Sequence, residues 1–335
     1  MRIEQNYLLT HHNTFQLPVR TRWFIEYESE AELSRILQDD FFLNSRSISI
    51  GGGSNILFLN DFDGIVLHSG IKTLAVTDET SDTVLLRAGA GVHWDSLVAF
   101  AVSKGWGGIE NLSFIPGEAG AAAVQNIGAY GMEISEVIEM VEVVHQPTGT
   151  KQVFTNASCQ YRYRHSYFKE QDPNPFIITS ISLRLQKKPQ FRLDYGNLAS
   201  LLSGRDITLQ TVREAVIEIR RSILPDPAVL GNAGSFFVNP VIPQKQFDDL
   251  KDRFPALPSF PAPEGTVKIP AGWLIEQCGF KGKREGNVGV YEKQALIIVN
   301  HGGATGEDIA SFARKISQTV NEIFGVMLVP EVKYV

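Results

Sequence analysis

Residues 113–131 read SFIPGEAGAAAVQNIGAYG. This stretch carries few bulky or charged side chains, yet ordinary globular sequence flanks it on both sides. Gly117, Gly120, Gly128 and Gly131 permit backbone dihedrals that other residues resist, while Ala121, Ala122 and Ala123 keep the surface low. Something large and flat can lie directly against such a main chain. A phosphorylated cofactor fits best, because backbone N–H groups in a tight loop form an anion-binding concavity. Gln125 and Asn126 offer fixed amide donors within the same stretch.

A second small-residue loop lies upstream. Gly51-Gly52-Gly53-Ser54-Asn55 separates the strand-like Ser47 to Ile50 from the apolar Ile56-Leu57-Phe58. Three glycines in a row serve either a bare tight turn or the close approach of a ligand. Two such loops in one half of the chain favour a cofactor. Neither is a dinucleotide fingerprint, since no GxGxxG opens a helix after a strand, and no GxxxxGK[ST] occurs.

Bulk properties narrow the class. At 335 residues the chain is long enough for two or three domains with cores that need no staples. Its 43% hydrophobic and 20% charged residues are ordinary for a soluble globular protein. A net charge of −6 argues against nucleic-acid binding, and no basic cluster suits a membrane surface. The two cysteines, Cys159 and Cys278, form no CxxC, so neither a disulfide framework nor a zinc site is indicated. The first residues lack a signal-peptide layout, and no apolar run reaches about 18 residues. A soluble, cytoplasmic protein is expected, and nothing suggests an obligate assembly over a monomer.

Around the two loops the chain alternates short strands and helices. Ser47 to Ile50, Ile65 to His68, Val84 to Arg87, Val137 to His145 and Phe176 to Leu185 read as strands. The last of these alternates apolar and polar residues through Ile178, Ser180, Ser182 and Arg184. Glu30 to Leu37 and Trp94 to Ser103 carry helical spacing, as do Thr211 to Ile223 and Glu307 to Phe324 further on. A boundary is expected near Lys187-Lys188-Pro189, giving one region over 1–188, split near residue 72, and another over 189–335. The class is α+β.

Three further constellations carry chemistry. Tyr161 to Lys169, YRYRHSYFK, interleaves cations with aromatics and reads on composition alone as an exposed β-edge with snorkelling arginines. Gly231 to Phe237 places Ser235 between a glycine-rich approach and two bulky apolar residues; most serines so placed merely cap or turn the chain. Leu328 to Val332 sets Glu331 inside an apolar strand. A carboxylate there usually faces solvent; a buried one would have a raised pKa and could donate as a neutral acid.

Taken together, these segments resemble the UDP-N-acetylenolpyruvoylglucosamine reductase (MurB) family of bacterial cell-wall synthesis. The resemblance runs through Asn13-Thr14-Phe15, GGGSNILF, PGEAGAAAVQNIGAYG, YRYRHSYFK, Tyr195-Gly196, LPDP, GNAGSFFVNP, AGWLIEQCGFKG and VPEV, in that order. The Tyr195 segment and the chain length are similar to the longer, type I form. The resemblance implies a vanillyl-alcohol-oxidase-like (PCMH-type) FAD-binding domain over 1–188 and a smaller α/β substrate-binding domain over 189–335, whose C-terminal strand carries a catalytic glutamate.

It implies FAD held by Gly51, Gly52, Gly53, Ser54 and Asn55, and by Pro116, Gly117, Gly120, Ala121, Ala122, Gln125, Asn126, Gly128, Ala129, Tyr130 and Gly131. It implies NADPH as reductant and the enolpyruvyl ether of UDP-N-acetylglucosamine as substrate, reduced to UDP-N-acetylmuramate. Arg164 and Glu331 would stabilise the developing enolate, and Ser235 would protonate it. Tyr163, Tyr195, Asn239 and Gln277 would line the sugar-nucleotide pocket. Two departures stand out, because many relatives carry lysine where this chain has Ile223, and relatives often carry it where this chain has Val238. Two cations are thus absent near a dianionic diphosphate, for which Arg220, Arg221, Lys281, Lys283 or Arg284 could compensate. A flavin oxidase of the same superfamily, acting on an alcohol or sugar, is the alternative enzyme class. A regulator that binds flavin or UDP-sugar without turnover is the non-enzymatic one.

Overall fold

The computed structural model describes residues 1–171 and 173–335. The chain divides into two compact units. The first comprises Met1–Tyr7, Arg20–Gly53 and Phe62–Ser222, and the second Leu8–Val19, Ser54–Asp61 and Ile223–Val335.

The first unit holds two sheets. One is ordered Arg2–Leu8, Arg20–Tyr27, Phe62–Ser69, Ser47–Ile50, its last three strands parallel, with Ile25 opposite Leu67 and Ile48 opposite Val66. Ile65, Val66 and Leu67 are buried in succession, as a parallel strand covered on both faces requires. The other sheet is antiparallel and ordered Thr150–Thr155, Ile138–His145, Phe176–Gln186, Thr83–Gly89, Leu74–Glu79. The first sheet's strand ends at Ser69 and the second begins at Leu74, on either side of residue 72. Val84, Leu86, Val141, Ile181 and Leu183 of the second sheet share a core with Trp94, Leu97, Ala119 and Ala123 of two helices.

Sequence and structure differ in the Phe176–Gln186 strand. Alternation implies one wet face, yet Thr179, Ser180 and Ser182 are all buried. Its polar face is satisfied internally: Ser180 Oγ donates to the Glu142 carboxylate, which Arg87 Nε also meets at 2.5 Å. The small-residue stretch is likewise not all loop. Ala119–Gln125 is an α-helix, as its run of alanines favours. Its first two N–H groups, on Ala119 and Gly120, donate to Val92 and Ala90 carbonyls at 2.9 and 3.0 Å.

The boundary expected near residue 188 also moves, since residues 189–222 belong to the first unit. The helix Leu209–Ile223 places Leu209 in the second sheet's core. Arg213 on that helix grips both oxygens of Asp95 at 2.6 and 2.8 Å, and Asn111 Nδ2 donates to the Arg192 carbonyl at 2.9 Å.

The second unit is built on an antiparallel sheet ordered Gly231–Ser235, Ile297–Asn300, Val288–Val290, Arg284–Glu285. The helix Gly306–Phe324 buries Ile309, Phe312, Ala313, Ile316 and Val320, opens on a Thr305–Asp308 capping box and stops at Gly325. Asn13 is buried and bonds the Leu9 and Leu17 carbonyls at 2.8 and 3.0 Å. Thr14 and Phe15 carbonyls accept from Asn232 N and Asn300 Nδ2 at 2.9 and 2.8 Å, so this N-terminal segment is stitched into the unit. Glu331 does not lie inside a strand as expected. It occupies the bend before Lys333–Tyr334, because Pro330 lacks the N–H that would continue a ladder. Among the described residues no helix is long and apolar enough to cross a membrane, and no cluster of His, Cys, Asp or Glu could hold a metal ion.

Candidate active site

The two glycine loops of the first unit touch. A Cβ built on Gly51 would lie 3.0 Å from Ala121 Cβ and 3.3 Å from Glu118 Oε2. One built on Gly52 would lie 3.5 Å from Gly117 Cα. Gly117 has φ +114°, a conformation closed to residues with side chains at little cost, and its carbonyl accepts from Trp94 N at 3.0 Å. The chain leaves the first unit after Gly53, so Ser54 and Asn55 belong to the second. There Asn55 Nδ2 donates to the Glu331 carbonyl at 3.2 Å, and Asn55 O accepts from Lys333 N at 3.1 Å.

Beyond the helix Ala119–Gln125 the amides part company. Asn126 is 0% exposed, with φ +43°, and its side chain is spent on the protein. It donates to Glu133 Oε2 and the Arg162 carbonyl, both at 2.9 Å, and accepts from Ser135 N at 3.2 Å. Asn126 therefore organises the loop and does not offer its amide outward, contrary to expectation. Gln125 differs: its Oε1 is buried with no hydrogen-bond partner among the described residues. A buried acceptor of this kind calls for a donor that the protein does not supply.

Arg164 sits at the tip of a two-residue hairpin closed by reciprocal Arg162–His165 bonds of 3.1 and 2.9 Å. The segment is thus a tight turn followed by the short helix Tyr167–Glu170, and no exposed edge. Its guanidinium donates to the Gly128 carbonyl at 2.6 Å and the Asn126 carbonyl at 3.5 Å, and stacks 5.2 Å from the centroid of the Tyr163 ring. A Cβ on Gly128 would come within 2.8 Å of Arg164 Nη1, so this glycine makes room for the arginine. Phe114, Asn126, Tyr130 and Arg164 all hold positive φ. Strain of order 1–3 kcal/mol at each persists only where the surroundings enforce it, and it gathers at functional sites.

A second guanidinium joins the group. Arg220 Nε donates to the Phe114 carbonyl at 3.0 Å, and Tyr130 lies nearby. Burial depresses the Arg220 pKa, offset by the nearby Tyr130 and Asp95 and reinforced by Arg164; the group stays charged nonetheless. Burial raises the Tyr130 pKa. Tyr195 stands over Tyr130 with ring centroids 6.1 Å apart, nearly perpendicular, and is 51% exposed. Tyr195 therefore belongs to the first unit. The sequence counted Arg220 among five possible cations, and its place beside Tyr130 required tertiary structure.

In the second unit Ser235 closes the strand Gly231–Ser235 and is exposed. The next residues, Phe236 and Phe237, are buried. Glu331 N donates to the Phe236 carbonyl at 2.8 Å, and Val238 N to the Val329 carbonyl at 3.0 Å. Ser235 and Glu331 are thereby drawn together. Asn239 Oδ1 accepts from Ala271 N at 2.9 Å at the start of the helix Ala271–Gln277, whose last residue, Gln277, is exposed.

Residues 22–155 match the model of an FAD binding domain, and residues 226–335 that of the C-terminal domain of UDP-N-acetylenolpyruvoylglucosamine reductase. The chain is 51% identical to UDP-N-acetylenolpyruvoylglucosamine reductase of Porphyromonas gingivalis strain W83, with all of both chains covered. It is 44% identical to that of Bacteroides fragilis strain ATCC 25285, over 99% of this chain and 100% of the relative. The chain belongs to the UDP-N-acetylenolpyruvoylglucosamine reductase family. A crystal structure of the reductase from Thermus caldophilus shares its fold, with a TM-score of 0.71 at 23% identity over 100% and 99% of the two chains.

The fold is accordingly α+β with an FAD-binding domain, and the enzyme is an FAD-dependent oxidoreductase that uses NADPH. The comparisons favour this reductase over an oxidase acting on an alcohol or sugar. The first unit fits the flavin on its own chemistry. Its two side-chain-poor loops in contact suit a diphosphate, and the partnerless acceptor of Gln125 suits an N–H of a flat ring.

Proposed function

We propose that this enzyme reduces the enolpyruvyl ether of UDP-N-acetylglucosamine to UDP-N-acetylmuramate with Arg164, Ser235 and Glu331 at the reacting atoms. The observation that carries the residue roles is the rigid seating of Arg164 on the Gly128 carbonyl, together with the backbone link between the Ser235 and Glu331 segments. When bound, FAD would supply the two-electron redox chemistry that links NADPH to the enolpyruvyl double bond.

The protein's residues do the rest. Arg164 presents a planar, always-charged fork to the substrate carboxylate, where negative charge grows only as the transition state is approached. Glu331 supports the same carboxylate. Ser235 gives its hydroxyl proton to the carbon adjacent to that carboxylate, a task worth about 10²–10⁴ in rate. Tyr195 covers the sugar nucleotide against water, and Tyr163, Asn239 and Gln277 line its pocket. Gly51, Gly52 and Gly53, with Ser54, Asn55 and the Pro116–Gly131 stretch, hold the cofactor. Arg220 stands in for the cations replaced by Ile223 and Val238. The enzyme works as a monomer in the cytoplasm.

The test is a pair of anaerobic half-reactions. Protein carrying FAD should bleach with NADPH and regain its colour on addition of the enolpyruvyl sugar nucleotide. Bound flavin that NADPH reduces but the sugar nucleotide cannot re-oxidise rejects the assignment.

A further inference from the structure

Beside the touching glycine loops lies a buried ionic cluster that the mechanism does not use. His68 ends the row in which its strand is flanked by Glu26 on one side and Ile50, the residue before Gly51, on the other. Its side chain is 7% exposed. Nδ1 meets Glu26 Oε2 at 2.7 Å and Nε2 meets Glu118 Oε1 at 2.9 Å. Glu118 comes from the other loop, just before the helix Ala119–Gln125, and its second oxygen is the atom that would crowd a Cβ on Gly51.

A neutral imidazole has one donor and one acceptor, so it can satisfy only one of two carboxylates; the imidazolium satisfies both. Burial works to lower the His68 pKa, but Glu118 and then Glu26 outweigh it, and the net shift is upward. The titratable groups shown around it are Glu26 from the neighbouring strand, Glu118 from the facing loop, and Tyr27, whose hydroxyl pKa is raised by burial and by Glu118. Phe24 stacks on the ring at a centroid distance of 6.0 Å.

We infer that protonated His68 is a positioning residue for the cofactor, tying Glu118 to Glu26 so that the Gly117–Gly120 loop stays seated on Gly51–Gly53. The inference rests on the reading that these loops hold the flavin diphosphate. The imidazolium also neutralises one of two carboxylates next to that dianion. Loss of its proton leaves two uncompensated negative charges, one of them on the loop itself. The sign follows from the raised pKa. The contribution is complete below about pH 6.5, the unfolded value, and is lost as pH rises through the folded one.

The experiment titrates FAD into flavin-free protein from about pH 6 to about pH 9 and follows thermal unfolding of the flavin-free protein over the same range. It uses the wild type, Glu118→Gln and His68→Gln. In the wild type the Kd for FAD should rise about tenfold or more with pH, and the unfolding midpoint should fall. In Glu118→Gln, whose amide can bond a neutral imidazole, both slopes should flatten. His68→Gln should bind FAD weakly with no slope in this window. A flat wild-type curve, or the same slope in wild type and Glu118→Gln, overturns the inference. Protein that binds no flavin in any variant overturns the cofactor reading instead; the unfolding slope then sustains or overturns the clamp by itself.

Discussion

The backbone N–H of Glu331 donates to the carbonyl oxygen of Phe236 at 2.8 Å, one residue beyond Ser235. A residue from the chain terminus and a residue some hundred positions earlier are thus held by main chain, which no side-chain rotation undoes. Phe236 is itself buried against Phe237, with ring centroids 5.1 Å apart, so the segment carrying Ser235 is anchored from below.

That anchoring makes Ser235→Ala a clean probe, because removing an exposed hydroxyl should leave the backbone in place. Reduction by NADPH should continue at its normal rate. Re-oxidation by the sugar nucleotide should slow about 10²–10⁴-fold, measured by stopped-flow absorbance. Equal slowing of both half-reactions would make the serine a shaper of the pocket and no proton donor.

Gly128→Ala tests the seat of Arg164. The added methyl would lie 2.8 Å from Arg164 Nη1 and 2.9 Å from the Met132 carbonyl, so the guanidinium must move. With the sugar nucleotide, kcat should drop at least tenfold, since about 1 Å of misplacement can cost far more than that.

The helix Leu209–Ile223 is tied to the first unit through Arg213 and Asp95, both largely buried. Burial works to raise the Asp95 pKa, but bonds from Arg213 and Phe114 N prevail and hold it below the usual carboxylate range. Arg213→Ala should cost about 1.5–3 kcal/mol in urea unfolding at neutral pH. A depressed carboxylate stabilises above its unfolded value and loses that contribution as pH falls through the folded one. The gap between variant and wild type should therefore narrow in acid.

Burial pushes the Cys159 and Cys278 thiols up to about 11, leaving almost no thiolate at neutral pH. Alkylation at pH 7.5 should be slow for both, followed by mass spectrometry of the folded protein, and Cys159→Ser with Cys278→Ser should retain flavin and turnover.

Much of this was legible in the sequence where chemistry is local. Ser47–Ile50 and Trp94–Ser103 fall where their patterns put them, because apolar spacing reports directly on the buried face. Legibility failed where tertiary context decides. Phe176–Gln186 looks half-wet, yet Ser180 is buried against Glu142. Asn126 looks like a ligand amide, yet Glu133, Ser135 and Arg162 consume it. His68 sits in an apolar strand, and its two carboxylates are 42 and 50 positions away in sequence. No local pattern announces such a cluster.

The central claim, that Arg164, Ser235 and Glu331 act on one substrate, is tested most directly by a crystal structure with FAD and the enolpyruvyl sugar nucleotide bound. The account predicts Ser235 Oγ roughly 3–3.5 Å from the carbon next to the substrate carboxylate, with Arg164 and Glu331 both bonded to that carboxylate. A substrate whose enolpyruvyl group touches none of the three, or Arg164 turned to solvent, would contradict it.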